Sequence, residues 1–310
     1  MTDPRGLEGR GLLPEGIERP LDVQAALRTH AYLADEGLAT ACFLALRLHR
    51  PLFLEGEAGV GKTEIGRTLA ALLGAPLIRL QCYEGIDAAQ ALYDWDFPRQ
   101  VLHLRTLEAI GADAEQAAVL EAELYDRRFL IARPLLAALE TTPSVLLIDE
   151  IDRADDEFEA FLLEVLSDFS VTIPELGTIM AAVPPAVVVT SNRTREVHDA
   201  LKRRCYYHWV GHPDLEREVE IVRARVPQAA EVLTRQVTAV VQSLRDADLF
   251  KPPGVAETLD WVAALVAMGA ESLEPAMATA TLGAVLKYRE DQERVASGLT
   301  GMLERVAKGA

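Results

Sequence analysis

The run Gly56-Glu57-Ala58-Gly59-Val60-Gly61-Lys62-Thr63 has the spacing Gly-x4-Gly-Lys-Thr of a phosphate-cradling P-loop. Glycines let the backbone curl until successive N–H groups converge on an anion, and the start of the following helix adds its positive end. Lys62 would then reach the β and γ oxygens of a nucleoside triphosphate, and the Thr63 hydroxyl, with Glu64 beside it, would sit where Mg2+ binds. With glycine near 7% of average usage, a chain of this length shows the pattern by chance roughly once in a hundred cases. An apolar strand before it and helical spacing after it tighten the match. The expected ligand is ATP with Mg2+.

A second constellation is Val145-Leu146-Leu147-Ile148-Asp149-Glu150, an apolar run that stops abruptly in two carboxylates. Buried parallel strands end this way where they meet a site at the carboxyl edge of a sheet. Asp149 would belong to the metal's shell, and Glu150 would orient and polarise the attacking water. The competing explanation is an ordinary acidic strand end. Asn192, directly after Val187-Val188-Val189-Thr190-Ser191, could bond the water or the γ-phosphate, although asparagine is also a common turn residue. Lys202-Arg203-Arg204 precedes a further strand, and Arg204, or else Arg203, could act as an arginine finger towards a neighbouring subunit's ATP. Arginines paired with acids on a very acidic surface are the competing explanation.

These groups need a scaffold, and the hydrophobic pattern supplies one. Strands are expected at Leu52–Leu54, Pro76–Leu80, Val145–Asp149, Ala186–Ser191 and Tyr206–Val210. Helical stretches lie between them, at Glu64–Leu73, Ala132–Glu140 and Glu157–Phe169. Alternation of this kind predicts an α/β fold with a mainly parallel five-stranded sheet. Ala31–His49 reads as a helix leading into the first strand, and Ser170–Val183 as a small hairpin turning near Gly177. Asp94–Phe129 reads as an exposed insertion, with Tyr93–Pro98 as a loop and Gly111–Tyr125 as a helix. From His212 onward only helical periodicity remains, as at Leu233, Val237, Val240 and Leu244. The expected organisation is a flexible leader over 1–22, a nucleotide-binding α/β domain over 23–211 and an all-helical lid domain over 212–310.

Composition narrows the function classes. The 310-residue chain can bury a large core without staples. Its cysteines, Cys42, Cys82 and Cys205, form no C-x-x-C pair, which points to a reducing, cytoplasmic setting. Its six histidines show no metal spacing, and Trp95, Trp209 and Trp261 read as packing residues. No apolar stretch approaches the roughly 20 residues of a membrane span. A formal net charge of -17 disfavours nucleic acid as a partner.

The order of P-loop, acidic strand end, Asn192, basic cluster and helical lid makes the chain from about Val23 to its end resemble the AAA+ ATPases. Glu55–Thr63, the insertion before Leu130 and the hairpin before Asn192 look like the MoxR branch. Leu80-Gln81-Cys82-Tyr83-Glu84-Gly85 and Tyr93–Gln100 are similar to its CoxD-like members, implicated in maturing molybdenum-copper carbon monoxide dehydrogenase. The resemblance implies a ring, usually hexameric, with ATP at subunit interfaces. It also implies a partner carrying a von Willebrand factor A domain, and chaperone-like remodelling of a metalloenzyme or other client. One departure stands out: Glu257 aligns where many relatives carry a lid sensor Arg, and a carboxylate cannot donate to a γ-phosphate, leaving that task to a neighbour such as Lys251. Rival expectations are a nucleotide-switched assembly or binding module and, more weakly, a DNA-acting AAA+ protein.

Overall fold

The computed structural model describes residues 11–109 and 123–309. Contacts divide them into two compact units. The described residues of Met1–Val23, Glu36–Leu54 and Gly66–His208 form the first; those of Gln24–Asp35, Glu55–Ile65 and Trp209–Ala310 form the second.

The first unit is organised on a five-stranded sheet made of β1 (Leu52–Glu55), β2 (Leu77–Gln81), β5 (Val145–Asp149), β8 (Ala186–Ser191) and β9 (Tyr206–Trp209). Its order is β2-β5-β8-β1-β9. β2 runs parallel to β5, with Gln81 opposite Asp149, and β5 runs parallel to β8, with Ile148 opposite Val189. Hydrogen bonds from Tyr206 N–H to Pro51 O and from Val210 N–H to Glu55 O, both 2.7 Å, advance in one direction and make β9 parallel to β1. The two central strands are buried at every position, as continuous apolar runs in a sheet covered on both faces must be. Phe53, Leu146, Ile148 and Val189 pack with Leu135, Leu139, Phe158, Leu162 and Leu201 from the helices Pro134–Glu140, Asp156–Asp168 and Asp199–Arg204.

Two antiparallel ribbons accompany the sheet. β3 (Tyr93–Trp95) pairs with β4 (Leu130–Ala132), and β6 (Ser170–Ile173) pairs with β7 (Gly177–Met180), where Gly177 takes a left-handed φ of 81°. Leu130, Leu136 and Ile173 form a small shared core with Tyr93, Trp95 and Ile179. The hairpin before Asn192 is therefore present. Tyr93–Pro98 is not the expected loop, because Tyr93 and Trp95 alternate around Asp94 and find a strand partner some thirty-five residues away, and the helix Phe97–Ala109 starts at once. Most of the helix expected at Gly111–Tyr125 lies outside the described residues.

Ala31–His49 also differs from expectation. One helix, Pro20–Thr29, closes at Ala31, whose φ is 56°, with the Tyr32 N–H bonded back to Leu27 O at 3.1 Å, and a new helix spans Glu36–Arg47. This is the left-handed helix stop that glycine usually supplies, here made by alanine and so missed by composition. Within the stretch expected as a leader, Leu12 N–H bonds Leu46 O at 3.0 Å and Leu13 is buried.

The second unit owes its core to helices Leu215–Arg225, Glu231–Arg245 and Val255–Ala267 and those that follow, through Val222, Val237, Val240, Trp261 and Leu265. Inside it, Glu218 is fully buried. Its carboxylate accepts from Arg245 Nη1 at 2.6 Å, Arg245 Nη2 at 2.7 Å, Gln242 Nε2 at 2.7 Å and Thr258 Oγ1 at 2.7 Å. A buried charge is tolerable only when matched this fully. The three helices Leu215–Arg225, Glu231–Arg245 and Val255–Ala267 are thereby locked by one polar knot as well as by apolar packing.

Candidate functional site

The P-loop belongs to the second unit. Gly59 and Gly61 adopt φ of 79° and 96°, a backbone that side-chain-bearing residues avoid, and this turns the loop's N–H groups inward. Gly56 has no room for a side chain either: an added Cβ would stand 2.2 Å from Val210 O. The helix Lys62–Leu73 starts directly from the loop. Lys62 is buried, and its ammonium donates to Gly56 O at 2.8 Å and Glu57 O at 2.5 Å, so the charge sits within the curl of the loop. Glu57 turns outward to His212 Nε2 at 3.0 Å, and Glu64 pairs with Arg225 at 2.7 Å. Inward amides and one ammonium are a donor set suited to phosphate.

Glu257 lies at this loop. It is the third residue of the helix Val255–Ala267, and its Oε2 accepts the Gly254 N–H at 2.9 Å, the N3 half of a capping box, which Gly254 has no side chain to complete. A Cβ on Gly59 would come within 2.8 Å of that carboxylate oxygen. The Ala256 N–H bonds Gly59 O at 3.0 Å. Glu257 thus caps its own helix beside the P-loop, while the Ala256 N–H ties the helix start to the loop.

In the first unit, Asp149 and Glu150 close β5. Asp149 is buried; its Oδ1 accepts from Thr190 Oγ1 at 2.5 Å, and its Oδ2 accepts from Arg79 Nε at 3.1 Å and Nη2 at 2.5 Å. Glu150 has φ 57° and ψ 53°, left-handed for a residue with a side chain, a conformation that costs about 1 kcal/mol or more and persists where surroundings impose it. Those surroundings are specific. The Glu150 N–H donates to Thr190 Oγ1 at 2.9 Å, Asn192 Nδ2 donates to Glu150 Oε1 at 3.1 Å, and Gln81 Nε2 donates to Glu150 Oε2 at 3.1 Å.

Asn192 is itself positioned. Its N–H donates to Asp152 Oδ1 at 3.1 Å, while Asp152 Oδ2 accepts the Thr194 N–H at 2.9 Å and hydroxyl at 2.6 Å. Burial would push the Asp152 carboxyl up, but the bonds from Thr194 and Asn192 outweigh it and hold the group below the usual carboxylate range. A second buried carboxylate, Glu159, accepts from Arg195 and from the His198 N–H, which fixes the same segment further along.

Arg203 and Arg204 occupy another neighbourhood, at the end of the helix Asp199–Arg204. Both are exposed; Arg50 donates to both backbone carbonyls, and Arg204 Nη1 reaches Ser167 Oγ. Cys82, directly after β2 with its N–H on Asp149 O, is no nucleophile: burial, reinforced by Asp149, pushes its thiol to about 12. Among the described residues no group of His, Cys, Asp and Glu is assembled as a metal cluster, and no helix is long and apolar enough to cross a membrane.

Asp149, Glu150 and Asn192 thus come together, joined by Arg79, Gln81, Thr190, Asp152 and Thr194, which sequence reading did not single out. Gln81 and Arg79 become visible only once the strand order sets β2 beside β5. Asp149 in the first unit and Thr63 in the second each offer an oxygen donor of the kind that suits a hard cation such as Mg2+.

A doubly wound parallel sheet with a P-loop after its first strand and paired carboxylates ending a central strand defines a nucleotide-hydrolysing domain of the AAA+ ATPase type. The chain belongs to the AAA domain (dynein-related subfamily) family, whose model matches residues 51–205. Members of the AAA+ group usually assemble as rings. The chain is similar to an uncharacterized protein of Staphylococcus haemolyticus, with 23% identity over 219 residues covering 68% of this chain and 74% of that protein. Another relative, an uncharacterized protein of Staphylococcus saprophyticus, is 21% identical over 207 residues, covering 64% and 70%. Among solved structures, the RuvB Holliday junction branch migration motor of Thermotoga maritima aligns at 14% identity with a TM-score of 0.43, covering 84% of this chain and 68% of that one. A single-residue variant of the same motor gives 0.44.

Proposed function

We propose that the chain is a Mg2+-dependent ATPase of the MoxR branch that remodels a protein client such as a metalloenzyme of the carbon monoxide dehydrogenase kind. The observation that carries the ATPase reading is the P-loop itself, with left-handed Gly59 and Gly61 and the buried ammonium of Lys62. Gly56–Thr63 would bind the phosphates, with Glu64 at the start of the helix. Thr63 and Asp149 would hold Mg2+, which when bound supplies charge neutralisation at the transferring phosphoryl group.

Glu150 would take the water's proton in the transition state, and Asn192 would orient the water. That division of labour is supported by the bond from Asn192 Nδ2 to Glu150 Oε1, which leaves the carboxylate's rotamer little choice. Arg204, or Arg203, would stabilise charge in a neighbouring subunit of a hexameric ring. A von Willebrand factor A domain protein is the partner that the MoxR reading calls for.

The test is Glu150→Gln. Steady-state ATP turnover should fall by about a hundredfold or more, the scale of general-base loss, while ATP binding survives. Full turnover in that variant would sink the assignment of Glu150. What co-purifies with Glu150→Gln held in ATP tests the finer claim: a von Willebrand factor A protein or a metalloenzyme supports it, and nucleic acid in their place would overturn it.

A nucleotide-switched binding module is the second reading, and Glu257 favours it. A carboxylate where a sensor Arg was expected, on a helix start tied to the P-loop through Ala256 N–H, gives ATP a way to shift that helix start without hydrolysis. Client release that proceeds as fast with a non-hydrolysable analogue as with ATP would decide for this reading.

A further inference from the structure

We propose that Arg79 is a resident counter-cation for Asp149, displaced when a divalent metal binds, and that its departure loosens Gln81 from Glu150. The inference rests on the reading of Asp149 as a metal-holding residue. Buried at 2% exposure, Asp149 needs a positive partner whenever no metal is present. Arg79 provides it from the edge strand β2 by giving two hydrogen bonds, at 2.5 and 3.1 Å, to Oδ2, while Thr190 donates to Oδ1.

The rest of Arg79 is suited to leaving. Its side chain is 47% exposed, so the guanidinium can swing into water without unpacking any core residue. A divalent ion at the same carboxylate would place like charges within a few ångströms of each other, so ion and guanidinium compete for Oδ2 rather than share it. Exchange replaces one cation by another, and Asp149 is never left bare.

Gln81 extends the consequence. Its Oε1 accepts from Arg79 Nη2 at 2.5 Å while its Nε2 donates to Glu150 Oε2 at 3.1 Å. The guanidinium therefore fixes which end of the amide faces Glu150. When Arg79 leaves, that orientation loses its anchor, and Glu150 Oε2 keeps only its ion pair with Arg153 Nη1 at 3.5 Å. Metal arrival at one carboxylate and loss of the amide bond at the next thus become a single event.

Mn2+ serves as the probe, titrated into the full chain saturated with a non-hydrolysable ATP analogue and followed by the electron paramagnetic resonance of free Mn2+. Arg79→Gln should bind Mn2+ about three- to tenfold more tightly than wild type, since a competing charge of surface-pair strength is gone. Nucleotide affinity in EDTA should be unchanged. Arg79→Lys, which keeps the charge, should stay near wild type. Unchanged or weaker Mn2+ binding in Arg79→Gln would overturn the proposal.

A readout in wild type removes any dependence on the variant's folding. The Arg79 side-chain Nε–H resonance, assigned by its loss in Arg79→Lys, should shift when Mg2+ is added to the analogue-loaded protein. No shift on metal binding would also overturn the proposal. Asp149→Asn separates the underlying reading: Mn2+ binding equal to wild type in that variant would refute Asp149 as a metal holder, whereas weakened binding there beside unchanged Arg79→Gln refutes Arg79 alone.

Discussion

Asp152 holds Thr194 twice, through its backbone N–H at 2.9 Å and its hydroxyl at 2.6 Å, both on Oδ2. With Asn192 N–H on Oδ1, this one buried carboxylate sets where the chain goes after β8 and hence where the Asn192 side chain points.

Asp152→Asn should therefore cost stability, by about 1–3 kcal/mol, because one carboxamide cannot accept at both oxygens. Depression of the Asp152 carboxyl gives the loss a pH signature. A group whose folded value lies below its unfolded value stabilises fully above the unfolded value, about 3.9, and loses that contribution as pH falls through the folded one. Urea unfolding of wild type and Asp152→Asn should show a constant gap from neutrality down to about pH 5. The gap should narrow below about pH 4. A gap that widens on acidification would contradict the assigned shift.

Gly254→Ala should weaken nucleotide binding more than it weakens the fold. An added Cβ would meet Ala58 O at 2.8 Å and Gly59 Cα at 2.9 Å, both backbone atoms of the P-loop, which cannot move aside as a side-chain tip could. Relief requires the helix start and the loop to part, breaking the bond from Ala256 N–H to Gly59 O. Forced crowding of this sort costs on the order of 1–3 kcal/mol, or about 5- to 150-fold if it falls on ATP affinity. Calorimetric titration with ATP beside a thermal melt checks it. ATP affinity equal to wild type would mean that the contact does not shape the loop.

Much of the site was legible because its chemistry is local in sequence. The P-loop needs only the eight residues Gly56–Thr63, and the apolar run into Asp149-Glu150 announces both a buried strand and its acidic end. The residues that set Glu150 were not legible, for Gln81 and Thr190 reach it only because β2 and β8 flank β5. Asp152 was passed over because an acid just after Asp149-Glu150 looks like more strand-end charge; its value lies in meeting Thr194, forty-two residues on. The same holds for β3. Tyr93-Asp94-Trp95 reads as a loop until β4 arrives to pair with it. Glu257 shows the opposite case: alignment supplied its place in the chain, and only the backbone revealed that it caps its own helix beside Gly59.

Arg203 and Arg204 remain the candidates for a finger acting on a neighbouring subunit, and their surroundings make the two distinguishable. Arg204 Nη1 is held on Ser167 Oγ, so it must exchange that partner before it can reach a phosphate, whereas Arg203 is an exposed side chain one residue earlier on the same helix. Arg50 ties both backbone carbonyls, at 2.7 and 3.0 Å, and so fixes the turn from which either guanidinium extends. Loss of a true finger costs about a thousandfold or more in turnover, while loss of a surface ion pair costs next to nothing. Each of Arg203→Ala and Arg204→Ala should be mixed with Lys62→Ala, whose subunits cannot hold the triphosphate yet keep both arginines. A finger acting in trans predicts that each parent is inactive alone and that the mixture regains a measurable fraction of wild-type turnover, for one of the two arginines only. Absence of rescue in mixed assemblies verified by mass spectrometry would remove that arginine from the site. Rescue by both would mean that the helix end, rather than one side chain, carries the charge.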